Sequence, residues 1–145
     1  MEKQTFKVSI NADRKKVWNT LWNDKTYREW TSAFSEGSHA ETDWKKGSKV
    51  LFLNAENEGM VSTIADNRPN EFMSIKHLGI VKKGVEDFDS EETRKWAGGL
   101  ENYSLKEDGG KTQLVVDMDI IDEYKDYFMN TWPKALEKVK EIAEK

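Results

Sequence analysis

Residues 122–145, DEYKDYFMNTWPKALEKVKEIAEK, decide the fold. Phe128, Trp132, Ala135, Leu136, Val139, Ile142 and Ala143 recur at three- and four-residue spacing and mark one face of a long amphipathic helix. Lys134, Glu137, Lys138, Lys140, Glu141, Glu144 and Lys145 take the other face. The apolar stripe has to be buried, and the segments before it read as β-strands. Trp132, in the middle of the stripe, is expected to pack against the sheet. A terminal helix laid across an antiparallel sheet leaves room for a cavity beneath it; the same stripe also serves as plain core. Pro133 removes the helical bond to the Met129 carbonyl. It implies either a bend or a fresh helix capped by Thr131.

Working back from that helix, residues 112–121 alternate: Leu114, Val116, Met118 and Ile120 point one way. Asp108-Gly109-Gly110 joins them as a hairpin to a strand over residues 100–107. Further strands are expected at residues 71–81, 60–65, 39–43 and 5–10. Val50–Leu53 is apolar on both faces and reads as a central strand. Asp66–Asn70 is the clearest turn. Asp13 caps a short helix from Arg14 carrying Val17, Trp18, Leu21 and Trp22, and Asp24 caps a second one carrying Tyr27, Trp30 and Phe34. The result is an α+β chain in one domain, residues 1–145, with about seven strands, two short helices after the first strand and one long helix at the end.

A chain of this length buries roughly 68–70% of its unfolded surface. Cysteine is absent, which removes disulfides and thiolate metal sites. A net charge of −4 argues against a nucleic-acid partner, since neutralising phosphates needs a basic face. No apolar run approaches a membrane span and no basic-then-apolar leader precedes the first strand, so a soluble, cytoplasmic protein is expected. Six tryptophans are too many for an exposed surface, and large aromatics line either a core or an apolar cavity.

Four stretches, VSINADRKKVWNTLWND (8–24), DNRPNEFMSIKHLG (66–79), ENYSLKEDGGKTQLVVDMDI (101–120) and YFMNTWPKALEKVK (127–140), occur in an order and spacing that resembles the START/birch-pollen-allergen (SRPBCC) superfamily. Within it the chain looks like the bacterial proteins named for the activator of the heat-shock-protein-90 ATPase. The resemblance implies the helix-grip fold, a curved antiparallel sheet around the terminal helix with a cavity between them. In the superfamily that cavity holds lipids, sterols, polyketides and other apolar molecules, and a minority of members are enzymes of cyclase or dehydratase type. The eukaryotic cochaperone resembles this chain only over its smaller C-terminal domain; its chaperone-binding domain has no counterpart in 145 residues. A name shared through a fold is weak ground for a chaperone contact.

Alternation then selects cavity candidates. If Val116 and Met118 face the helix, Glu101, Tyr103 and Leu105 face it from the next strand, and Met73, Ile75 and His77 from the one beyond. With Met60 and the helix residues Phe128, Trp132 and Leu136, these form the expected ligand cavity. His77 and Glu101 stand out as polar groups on an apolar face, able to hold the polar end of a ligand or move a proton. The competing readings place them hydrated at the cavity mouth, or turned outward by a bulge. His39 is expected at an exposed strand edge. Two histidines give no metal-ligand spacing, and no nucleophile elbow or phosphate loop occurs. No metal or cofactor is therefore expected. Residues 82–99 form the longest connection, with Phe88 and Trp96 serving as a lid or as a tether. The expected role is binding an apolar or amphipathic small molecule as a monomer. A cyclase- or dehydratase-like enzyme and a chaperone-associated domain are the alternatives.

Overall fold

A computed structural model describes all of residues 1–145. Its sheet grows from the C-terminal hairpin, β7 (Leu100–Asp108) and β8 (Lys111–Ile120). Gly109 and Gly110 both have positive φ (59° and 84°), the backbone a two-residue hairpin turn requires. β1 (Glu2–Ile10) adds to the free edge of β8. On the other side come β5 (Phe72–Lys82), β4 (Gly59–Arg68), β3 (Lys49–Leu53) and the three-residue edge strand β2 (His39–Glu41). The order is β1-β8-β7-β5-β4-β3-β2, antiparallel throughout.

Residues paired directly across a ladder share a face. Phe6, Val116, Tyr103 and Met73 thus form one row on the inner face, while Thr5, Asp117, Asn102 and Ser74 form a polar row on the outer face. Helices α1 (Arg14–Trp22) and α2 (Asp24–Thr31) follow β1, and α4 (Asp122–Ala143) closes the chain. All three cover the inner face. Their buried residues, among them Val17, Leu21, Trp30, Trp132, Leu136 and Val139, join Phe6, Ile10, Leu114 and Val116 in one core. No helix is long and apolar enough to cross a membrane.

Several details depart from expectation. Asn23, not Asp24, caps α2: its side chain accepts from the Lys25 N–H at 3.1 Å, which leaves Asp24 in the first turn, paired with Arg28. Val50–Leu53 is not central but lies one strand from the edge. It is apolar on both faces because Leu51 and Leu53 join Val61 and Val81 in a second, smaller cluster on the outer face, while Val50 enters the main core. Asp66–Arg68 continues β4, since the extra residue Ala65 is absorbed by a bulge between Ile64 and Asp66. An eighth strand, β6 (Val85–Asp87), forms a hairpin with the far half of β5 through Lys83 and Gly84. The short helix that follows it, α3 (Glu91–Arg94), is no departure: the Asp89-Ser90-Glu91-Glu92 start of this connection reads as a cap for one or two helical turns, and Ser90 is the cap. α4 runs unbroken through Pro133, so Thr131 caps no second helix and the Met129 carbonyl is left without its usual helical donor.

Candidate functional site

The three helices do not cover the whole inner face. Between α2, the first half of α4 and the β2–β5 side of the sheet lies a cavity of about 310 Å³. Its walls are aromatic: Trp30 and Phe34 from the α2 side, Phe52 from β3, Tyr103 from β7, Phe128 and Trp132 from α4. Trp132 is 2% exposed, lies stacked at 5.8 Å from Phe6, and meets Phe34 edge-on at 4.9 Å. Its Nε1–H points at Met118 Sδ, 3.4 Å away. Partly exposed Ser35, Ser38, Asn54 and Glu58 also line the cavity. Gly59 is required beside them. A Cβ there would stand 1.8 Å from the Phe52 carbonyl oxygen, so any side chain would force β3 and β4 apart.

One polar chain reaches this apolar space. Ser62 Oγ lies 2.7 Å from His77 Nδ1, and His77 Nε2 lies 3.1 Å from Glu101 Oε1. Tyr103 donates its hydroxyl hydrogen to Glu101 Oε2. Ser62 is fully buried behind the cavity wall, whereas His77, Glu101 and Tyr103 line it. The His77 ring thus bridges a buried hydroxyl and a carboxylate through its two nitrogens. Burial pushes the Tyr103 phenol well above its ordinary pKa, and the Glu101 charge with its hydrogen bond adds to the effect. Tyr27 is likewise raised, by burial first and by Glu101 second. Tyr27 lines the cavity at 7% exposure, and its hydroxyl makes no hydrogen bond within the protein.

Strand register brings these groups together. Glu101 pairs with Ile75 and with Met118, which sets it on the inner face one row from His77. Beyond Lys76 the β7 ladder ends, and the His77 backbone is held instead by the loop before β7. Its N–H donates to the Gly99 carbonyl at 3.0 Å and its carbonyl accepts from the Gly98 N–H at 2.7 Å. On the β4 side, Ser62 pairs with His77 but Val61 pairs with Gly79, so Leu78 is an extra residue. This bulge keeps His77 inward and turns Gly79 and Val81 outward.

Of the expected lining residues, Met60, His77, Glu101, Tyr103, Met118, Phe128 and Trp132 face the cavity. Met73, Ile75, Leu105, Val116 and Leu136 do not; they are packed core, because the helices close down on that part of the sheet. Neither Phe88 nor Trp96 is a lid. Phe88 packs over Gly79, on the outer face that the Leu78 bulge created, and Trp96 does not line the cavity. His39 sits on edge strand β2 with Nδ1 2.8 Å from the Gly37 carbonyl. No group of three His, Asp or Glu side chains is placed to hold a metal ion. Sequence reasoning missed Ser62, although its place between Met60 and Ile64 on an inward-alternating strand marked it as a buried hydroxyl. It also missed Tyr27, Trp30, Phe34 and Phe52 as cavity wall.

No protein-family model matches the sequence, and no curated protein matches it. Solved structures do. Protein MLL2253 from Mesorhizobium loti superposes with a TM-score of 0.75 at 14% identity, over 97% of this chain and 96% of that one. The fold is the helix grip. The Aha1 dimer from Colwellia psychrerythraea gives 0.71 at 14% identity, over 99% and 97% of the two chains. CalU16 from Micromonospora echinospora gives 0.68 at 13% identity, over 97% and 75%. At such identities the likeness speaks for the helix-grip architecture and for nothing finer.

Proposed function

We propose that the protein binds a small amphipathic molecule between the sheet, α2 and the first half of α4. The carrying observation is a cavity of about 310 Å³, rich in aromatic side chains, into which the hydrogen-bonded group of His77, Glu101 and Tyr103 converges. Such sites, apolar with a few fixed polar groups, suit a ligand that buries its body and anchors one polar end. Met60 and Met118 let the walls adapt to different shapes. Ser62 holds the His77 ring, and His77 and Tyr103 together hold the Glu101 carboxylate, so the anchor is rigid before any ligand arrives. The test is native mass spectrometry of the freshly purified protein, with tryptophan fluorescence during titration with a hydrophobic probe. Co-purified ligand mass or saturable quenching is expected. An interior that takes up no apolar probe at any concentration sinks the proposal.

One observation favours an enzymatic reading as the alternative. A carboxylate oriented by a histidine and a tyrosine inside an apolar cavity is the arrangement a general base needs. On that reading Glu101 takes a proton from a bound carbonyl compound or alcohol, and Ser62 and His77 act as positioning residues. Solvent-deuterium exchange into cavity-bound ketones, lost in Glu101→Gln, would support it; binding without exchange leaves the binding role alone.

A further inference from the structure

We infer that the cavity selects an organic cation, a protonated amine on an apolar body, over neutral or anionic molecules of the same shape. This deepens the small-molecule reading above and rests on it. The charged side chains lining the cavity are Glu58 and Glu101; no lysine or arginine is among them. Set against these two carboxylates are only the His77 imidazole and uncharged side chains, and the Glu101 side chain is only 15% exposed. An incoming ammonium group pairs with a carboxylate that is largely withdrawn from water.

The walls point the same way. Aromatic faces carry negative quadrupole density and attract cations, most strongly where water is excluded. Trp30, Phe52, Tyr103 and Trp132 line the same cavity as Glu101. Tyr27 adds a hydroxyl oxygen with no partner inside the protein, an acceptor for an ammonium hydrogen. A carboxylate ligand would meet Glu101, Glu58 and ring faces, with no lysine or arginine to pair its charge.

The experiment compares three chain-matched probes on the intact protein by isothermal titration calorimetry: decylammonium, decanol and decanoate, each below its aggregation concentration. Decylammonium is expected to bind at least about tenfold tighter than decanol, the size of one buried ion–aromatic contact plus a charge pair, with decanoate weakest. In Glu101→Gln the ratio of amine to alcohol affinity is expected to fall towards unity, while in Glu107→Gln, exposed and outside the cavity, it should persist. Should Glu101→Gln fail to fold, the ranking in the unmodified protein still decides. Decanoate binding as tightly as decylammonium overturns the charge preference and leaves the small-molecule reading standing. Binding of none of the three overturns both. An amine preference that survives Glu101→Gln overturns the role of that carboxylate.

Discussion

Replacing Trp132 with alanine probes core and cavity together. The indole is 2% exposed and contacts Phe6, Trp30, Phe34 and Tyr103, so its loss removes both buried area and aromatic pairing. A tryptophan packed on all sides costs about 3–5 kcal/mol when truncated. Part of this ring already borders the cavity, where no atoms face it, so the value belongs at the lower end, about 3 kcal/mol. At this chain length each kcal/mol moves the melting temperature by about 2–4 °C, which gives a fall of about 6–12 °C. Urea unfolding at neutral pH supplies the free energy and calorimetry the temperature. Decanol should raise the variant's melting temperature at least as much as it raises that of the unmodified protein, because the truncation enlarges an apolar space. A loss below about 1 kcal/mol would refute the packing argument. A full loss with no ligand-dependent shift would refute the placement of Trp132 as cavity wall.

Other outcomes follow from neighbouring residues. Ser62→Ala leaves the buried His77 Nδ1 without its hydrogen-bond partner and should cost about 1–3 kcal/mol by urea unfolding; a loss under about 0.5 kcal/mol would show that the ring does not depend on Ser62. Tyr27 and Tyr103 have folded-state pKa values above the unfolded value of about 10, so the unfolded chain releases these protons first as pH rises. Their contribution is therefore complete below about pH 10 and is lost as pH climbs from there through the raised values. Tyr103→Phe should flatten that alkaline decline in urea-unfolding free energy, and an unchanged slope would contradict the assignment. Gly59→Ala should destabilise the protein by about 1–3 kcal/mol, because β3 and β4 must separate to admit a methyl group; a neutral effect on melting temperature would show that they separate freely.

Periodicity made the architecture readable. The α4 stripe, the Gly109-Gly110 hairpin and the alternation of β8 each follow from one local rule, and each lies within a residue or two of its expected place. Alternation also groups His77, Glu101 and Tyr103 on one face, since a period of two needs no knowledge of the rest of the fold. What alternation cannot supply is phase across a bulge. The extra residues Leu78 and Ala65 leave no mark in the apolar pattern, yet Leu78 decides which face Gly79, Val81 and Phe88 occupy. The extent of the cavity was equally hidden. It depends on how much of the inner face three helices leave uncovered, so Met73 and Val116 become core while Phe52, two strands nearer the edge than β5, becomes wall.

The β5–β6 hairpin has a practical consequence for anyone building on this scaffold. It extends the sheet past the end of the β7 ladder, and neither its turn at Lys83-Gly84 nor any residue of β6 lines the binding space. Peptide epitopes or a fluorescent reporter domain spliced between Lys83 and Gly84 would project from the tip of that hairpin. Recognition could then be re-engineered at the cavity without touching the insertion point, and the chain offers two regions that can be diversified independently.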